Sequence, residues 1–448
     1  MLPPCESPDL TDPGPPLWEQ AAAIVVIMML TQAFIGPVFA PTQVETPILR
    51  LVWLPVYAVI AGLIALRPAV LVRAWPAWLI LALLVLQAFA SKWWSIDPGV
   101  TQRRVIAMAI SSAFAIYLGV AFTGRHLPRM LMLASLIMGL GSLVMVFANP
   151  TIGVHQIENA GLWRGLWYEK NQMGLVMSAG AVAAAACLAS ADPRRLLPAI
   201  TLAITTLLVL ATQSKTSLLC LMLGVGAVGG LWAMKRGGAA FSIVAVWFGV
   251  VLTAGGAYVF ITDPAMVLQA LGKDPSLTGR TDIWAALMRE VAERPWTGFG
   301  YQAFWGKDSV PAAFIRAETQ WPVPSAHNGW IDLLIQLGWP GAITVGITVA
   351  IATVVTVFRI PGSGAREGYW AVGYLLVFLL LSLSESVLLS HANLPWTLLL
   401  AILARALAFE PDRVRAPLAT ARSRAYQTAP RIAAHSAHAR VHRPVPVR

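Results

Sequence analysis

The sequence joins a histidine and an asparagine at the start of a long apolar stretch, in Ser325-Ala-His-Asn-Gly-Trp-Ile-Asp332. A neutral imidazole at His327 can take a proton from an attacking hydroxyl group, and Asn328 can hydrogen-bond a sugar or a phosphate oxygen. Ser325 is a candidate N-cap for the next helix. That would put His327 in the first turn, where the positive helix end disfavours imidazolium. The alternative is an interfacial histidine that only hydrogen-bonds its own loop.

An arginine within Leu277-Thr-Gly-Arg-Thr-Asp-Ile-Trp284 is the second candidate. Arg280 stands where apolar residues begin to recur at helical spacing, and Pro295 ends the pattern. The apolar residues are Ile283, Trp284, Leu287, Met288 and Val291. This spacing predicts an amphipathic helix on the membrane surface or on neighbouring helices. Arg280 could bind phosphate through its planar fork of donors, or it could be an ordinary snorkelling side chain.

Further polar residues stand at the edges of apolar stretches and could bind an anion or a sugar. Cations at a membrane interface are stabilised when a bound anion offsets their charge. These candidates are Arg164, Lys170, Asn171 and Lys215. Glu385 lies inside an apolar stretch and is too polar to face lipid. It could pair with an arginine or serve as a base.

The elements that must position these residues are membrane helices. The chain has 448 residues, of which 57% are hydrophobic and 12% charged, and its mean hydropathy is +0.68. Continuous apolar runs of about 20 residues are typical of bilayer-spanning helices. We predict an all-α membrane protein with about twelve transmembrane helices and one long outer loop. The predicted spans are 18–40, 48–66, 74–91, 105–122, 128–148, 172–190, 196–211, 217–234, 240–261, 328–358, 368–389 and 394–409.

Basic residues occupy every second short loop, and the positive-inside rule places those loops in the cytoplasm. The pairs are Arg67 with Arg73, Arg125 with Arg129, Arg194 with Arg195, Lys235 with Arg236, and Arg359 with Arg366. Both termini are then inside. The predicted order is a cytoplasmic tail (1–17), spans one to nine (18–261), a periplasmic loop carrying the amphipathic helix (262–327), spans ten to twelve (328–409) and a basic cytoplasmic tail (410–448).

Several classes of function find no support in the sequence. The formal net charge is +11, but much of it lies in short loops and the tail, so nucleic acid is not an expected partner. Cys5, Cys187 and Cys220 are far apart, which argues against a disulfide framework or a cysteine metal site. Nucleotide-binding and metalloprotease motifs are absent from the sequence. We therefore expect no cofactor and no metal.

Taken together, the polar segments resemble the O-antigen ligase and polymerase superfamily, most closely its exopolysaccharide-polymerase branch. The resemblance rests on Arg164 with Glu169-Lys-Asn171, Ser214-Lys-Thr-Ser217, the Arg280 segment, and His327-Asn328 with Gly338 eleven residues on. It covers most of 20–409. The chain departs from many ligases in having Lys215 where arginine is common, which slightly favours the polymerase branch.

The resemblance implies a GT-C-type helical glycosyltransferase acting, without metal, at the periplasmic face of a bacterial inner membrane. The implied donor is an oligosaccharide on undecaprenyl pyrophosphate, and the acceptor is a sugar hydroxyl. The implied roles are His327, Arg280 and Glu385 in catalysis, and Arg164, Lys170, Asn171, Lys215 and Asn328 in substrate binding.

Three alternatives stay open. The chain could be a ligase that transfers glycan to lipid A core, rather than a polymerase of exopolysaccharide or lipopolysaccharide that acts with a flippase and a chain-length regulator. It could be a secondary transporter, a class in which twelve spans are common, although the sequence shows no evident halves. It could also be a structural membrane partner in polysaccharide assembly.

Overall fold

The computed structural model describes residues 14–34, 37, 47–157, 159–190, 194–262, 280–359 and 365–409. The first compact unit of the chain runs from Met1 to Ala408. The predicted N-terminal tail falls almost wholly outside the described residues, and so do 263–279 and the basic tail 410–448. Within the described residues, the sole strand-like pairing is an isolated bridge between Val154 and Trp163.

Helices make up nearly all of the described chain. Those of ten or more residues are α1 (Leu17–Leu30), α2 (Pro47–Ala65), α3 (Trp75–Ala90), α4 (Pro98–Ala121), α5 (His126–Ala148), α6 (Lys170–Ala189), α7 (Leu196–Thr212), α8 (Lys215–Thr262), α9 (Arg280–Glu293), α10 (Val310–Thr319), α11 (Gly329–Arg359), α12 (Ala365–Ser384) and α13 (Leu394–Leu407). The prediction of an all-α membrane protein is therefore confirmed in its coarse form.

Seven segments in the described residues are long and apolar enough to cross a membrane. They are Val72–Trp93, Pro98–Ala121, His126–Ala148, Lys170–Ala189, Lys215–Ala245, Gly329–Arg359 and Arg366–Ser384. Four more apolar helices are shorter: Leu17–Leu30, Leu51–Ala65, Leu196–Thr212 and Leu394–Leu407. A helix of 14 residues rises only about 21 Å, against a hydrocarbon core of about 30 Å. Twelve spans and a GT-C-type body thus stay predictions.

Several predicted boundaries were wrong. The first helix ends at Leu30 rather than near 40, because Gln32 and Phe34 have positive φ angles and cannot continue a right-handed helix. The predicted break between spans 217–234 and 240–261 is present, because α8 consists of two helices that meet at Gly238, where the backbone is not helical (φ 74°, ψ −171°). The predicted span 368–389 ends as a helix at Ser384.

One end of the bundle gathers residues of the basic loops. Buried Glu19 accepts two hydrogen bonds of 2.6 Å from Arg67 and one of 2.6 Å from Tyr117. Glu367 accepts from the backbone N–H of Gly124 at 2.9 Å and pairs with Arg405. These contacts tie the start of α1 to the ends of α2 and α4, and the start of α12 to the end of α13. Several of the basic loops that were predicted to lie on one side of the membrane therefore meet at one end of the helical bundle.

At the other end, residues 295–302 dock into a break in α11. The break is at Gly338 (φ 65°, ψ −166°). The N–H groups of Phe299 and Gly300 donate to Ile335 and Gln336 at 2.8 and 3.0 Å, and the carbonyl of Pro295 accepts from Trp339 at 2.8 Å.

Glycine is required on both sides of this contact. A Cβ at Gly338 would stand 2.5 Å from the Pro295 oxygen, and one at Gly298 would stand 2.4 Å from the Gln336 carbonyl carbon. Both glycines also have positive φ angles, which side chains disfavour. The segment predicted to be an outer loop with an amphipathic helix is thus partly built into the helical body, and this anchors the polar residues around it.

Candidate functional site

Three charged or titratable side chains from distant parts of the sequence meet at this docked end. His327 Nδ1 lies 3.4 Å from Glu385 Oε2, and an Arg280 guanidinium nitrogen lies 3.7 Å from Glu385 Oε1. The side chains are 18%, 19% and 16% exposed for Arg280, His327 and Glu385. The three side chains are therefore mostly buried but keep some contact with solvent. We call them the Arg–Glu–His trio.

Arg280 is the first residue of α9, as the sequence predicts. Its guanidinium donates to the carbonyl of Ser384, the last residue of α12, at 2.9 Å. A cation at a helix C-terminus is favoured because that end carries partial negative charge. The contact with Glu385 is longer than a hydrogen bond. An incoming anion that binds Arg280 would therefore compete with the Coulomb attraction of Glu385 and would not have to break a hydrogen bond to it.

The amphipathic helix α9 holds Arg280 in place through its buried face. Ile283, Leu287 and Val291 are buried, as their spacing predicts. Trp284 adds a directional contact, because its indole N–H donates to the carbonyl of Ala326 at 2.8 Å. The helix that carries Arg280 therefore also grips the turn that carries His327.

The start of α11 differs from the prediction. Asn328, not Ser325, is the N-cap: its Oδ1 accepts from the N–H groups of Trp330 and Ile331 at 3.0 and 3.2 Å. Helix α11 begins at Gly329. His327 therefore precedes the helix instead of lying in its first turn, and its φ angle is 48°. Capping engages Oδ1 of Asn328, so the predicted binding of sugar or phosphate would fall to its side-chain N–H groups and stays a prediction.

The His327 ring is held by neighbours that the sequence analysis did not single out. The Trp321 indole stacks on it at 7° with centroids 5.6 Å apart. Buried Asp332 accepts from the N–H of Ala326, at 3.3 Å to each oxygen, and from the indole of Trp305 at 2.7 Å. Within the described chain, the Nε2 atom of His327 is buried without a hydrogen-bond partner. The signal in the sequence that could have indicated this environment of His327 was Asp332, a carboxylate within an apolar run.

Arg164 has a different environment from the one predicted. Its guanidinium donates to backbone carbonyls of Thr151, Ile152 and Tyr168 at 3.0, 2.7 and 3.4 Å. These bonds hold the turn between α5 and α6. Within the described part of the chain, no hydrogen bond or ion pair joins Arg164 to the trio, and its role as an anion ligand stays a prediction.

Lys170 and Lys215 begin two adjacent helices. Gly174 in α6 and Ser217 in α8 approach so closely that a Cβ on the glycine would lie 2.3 Å from the serine oxygen. The Ser178 hydroxyl donates to the Ser217 carbonyl at 2.9 Å. Asn171 follows Lys170 in the first turn of α6. Two positive helix ends, each beginning with a lysine, thus lie side by side.

The α8 helix also connects these lysines to the trio. Helix α8, which begins at Lys215, packs against α12, the helix that ends one residue before Glu385. We find no group of three or more His, Cys, Asp or Glu that could hold a metal ion among the described residues. The expectation that no metal is needed stays a prediction.

Comparison with known proteins supports the family resemblance. Residues 200–346 match the O-antigen ligase family. The chain is also 31% identical over 157 residues to the exopolysaccharide production protein ExoQ of Rhizobium meliloti (strain 1021). That alignment covers 32% of this chain and 34% of ExoQ, so the chain spans about a third of the relative's length. The family match contains Lys215, Arg280 and His327, whereas Arg164, Lys170, Asn171 and Glu385 fall outside it.

Proposed function

The chain is related to the O-antigen ligase family, and on that premise we propose that it is a glycan polymerase of the exopolysaccharide or O-antigen type. It transfers an oligosaccharide from undecaprenyl pyrophosphate to a sugar hydroxyl at the periplasmic face of a bacterial inner membrane. The observation that carries this proposal is the Arg–Glu–His trio, in which a potential base and a potential phosphate ligand approach the same carboxylate.

His327 takes the proton of the acceptor hydroxyl. We assign the proton of the neutral ring to Nδ1, which faces Glu385 at 3.4 Å, so that the lone pair of Nε2 is left to accept the proton. Nε2 is buried in this structure, so neighbouring side chains must move aside when the acceptor binds. The acceptor oxygen bonds to the anomeric carbon as that carbon's bond to pyrophosphate breaks, and the leaving group takes the electron pair. Glu385 then stabilises the imidazolium that forms, as carboxylates do in other histidine-based sites.

Positive charge stabilises the departing pyrophosphate. The trio itself is neutral when His327 is neutral, because Arg280 and Glu385 offset each other. Lys170 and Lys215, at adjoining positive helix ends, supply the excess positive charge that a pyrophosphate needs. Fixed cations of this kind can replace a metal ion in stabilising charge.

The test is glycan transfer by the full chain in proteoliposomes, with a lipid-linked oligosaccharide as donor. Arg280→Ala should abolish polymer formation at unchanged protein level, and Arg280→Lys should restore little because a point charge lacks the planar fork. The matched control is Arg289→Ala, which removes a half-exposed arginine on the same helix that pairs with Glu318. Full activity of Arg280→Ala would refute the proposed role of Arg280 as a pyrophosphate ligand.

The acceptor separates polymerase from ligase. A polymerase extends glycan on a second lipid-linked unit, whereas a ligase requires lipid A core. The exopolysaccharide role in the name of the ExoQ relative favours the polymerase. Uptake of a solute without any change in glycan length would favour the transporter instead.

A further inference from the structure

We propose that Trp321 is a positioning residue for His327. Its indole fixes the plane of the imidazole and so the direction from which Nε2 meets the acceptor. The inference rests on the proposed function and extends it to a residue outside the trio. Trp321 and His327 lie six residues apart, and their rings are parallel to within 7° with centroids 5.6 Å apart. That separation is typical of an offset stack.

His327 needs such support because its backbone is unfavourable. A residue with a side chain at φ 48° is held in the left-handed region at a cost that neighbouring contacts must offset. The polar contacts of His327 are long: its N–H lies 3.4 Å from Ser325 Oγ, and its Nδ1 lies 3.4 Å from Glu385. Bonds of that length are weak, so they leave the ring plane loosely determined.

The indole and the carboxylate fix different degrees of freedom. Stacking on Trp321 sets the plane of the imidazole but permits a 180° flip about the Cβ–Cγ bond, which returns the ring to the same plane with Nδ1 and Cδ2 exchanged. Glu385 selects one of the two orientations, because only one presents Nδ1 to its oxygen. Together they place Nε2 at a single position, which is what a proton acceptor requires.

Trp321 is itself anchored. The carbonyl of Val323, which is fully buried, accepts from Arg316 Nε at 3.1 Å, and the Val323 N–H donates to the Trp321 carbonyl at 2.7 Å. Pro322 and Pro324 flank Val323 and restrict the backbone. The strap from Trp321 to His327 is therefore stiff, and the indole cannot follow a mispositioned imidazole.

The first experiment measures kcat and KM of the full chain in proteoliposomes. Trp321→Leu should lower kcat about five- to tenfold with the donor KM unchanged, since an aromatic pair is worth roughly that factor. Trp321→Phe should restore most of the rate because it keeps a ring. The control Trp247→Leu removes an indole of α8 that is 66% exposed and should leave both constants unchanged.

A double-mutant cycle separates positioning from general stability. On a His327→Gln background, Trp321→Leu should lower the remaining rate no further, because the group it positions is gone. An equal loss on both backgrounds would overturn the proposal, and so would a wild-type kcat in Trp321→Leu or a change in donor KM alone.

Fluorescence tests the stack without using activity. Protonation of His327 should quench the fluorescence of the stacked indole. The tryptophan fluorescence of the wild type minus that of Trp321→Phe should therefore change with pH, and His327→Gln should abolish that change. Glu385, Arg280 and Asp332 also bear on this turn, and the His327→Gln control isolates the imidazole from them. A change with pH that survives in His327→Gln would overturn the stack. If His327→Ala instead keeps full turnover, the proposed function fails, and the fluorescence result still decides the stack.

Discussion

Replacing Glu385 with glutamine should affect substrate binding and turnover in opposite directions. The glutamine keeps the size of the side chain and removes its charge. In the native site, that charge lies 3.7 Å from Arg280 and 3.4 Å from His327. Arg280 would lose an internal counter-ion that competes with the donor pyrophosphate. His327 would lose the carboxylate that stabilises its protonated form.

The distances set the size of both effects. Coulomb's law with an effective dielectric constant of about 20 gives about 4 to 5 kcal/mol for unit charges this close. The trio is partly exposed, and solvent screening reduces that figure, which we take as about 2 kcal/mol. A change of that size corresponds to about thirtyfold. We expect kcat to fall about thirtyfold and the KM for the donor to fall several-fold.

The assay is initial-rate transfer in proteoliposomes over a range of donor concentrations, with protein amount checked by immunoblot. The matched control is Glu318→Gln, which removes the other carboxylate paired with an arginine of α9 and should change neither constant. A Glu385→Gln variant with unchanged kcat would refute the assignment of Glu385 to His327. A donor KM that rises would refute its competition with the pyrophosphate.

Four further outcomes are expected. His327→Ala should reduce turnover by about 10²- to 10⁴-fold; His327→Gln should be nearly as inactive if the imidazole takes the proton, and much more active if it only orients the acceptor. Gly338→Ala should lower the melting temperature, with a destabilisation of about 1–3 kcal/mol, whereas Gly226→Ala, whose Cβ would meet nothing within 4 Å, should not. Turnover should survive EDTA, and a loss that magnesium restores would count against the mechanism. A periplasmic reporter should be active at Lys273 and inactive in the 410–448 tail, and the reverse pattern would overturn the orientation.

Local patterns in the sequence were sufficient for the helical membrane class and for α9. An apolar run or a 3.6-residue spacing concerns neighbours within a few turns, so both can be interpreted without the fold. The same holds for the two apolar runs 217–234 and 240–261, which the structure separates at Gly238. Span ends were less predictable: α1 stops at Leu30 because of backbone angles that composition does not encode.

The candidate site depended on tertiary structure. His327 and Glu385 are 58 residues apart, and Arg280 and Ser384 are 104 apart, so no spacing rule relates them. The docking of 295–302 into the break at Gly338 brings these segments to one end of the bundle.

Tertiary contacts also changed what individual side chains do. Arg164 donates to backbone carbonyls, and Asn328 caps α11, although both residue types suit substrate binding equally well. The residue type determined which chemistry was available to each side chain. Only the packing of distant backbone determined which of these polar groups already have a hydrogen-bond partner. In the described structure, Nε2 of His327 remained without one. The physical reason is that a buried donor or acceptor takes whichever partner the fold brings within reach.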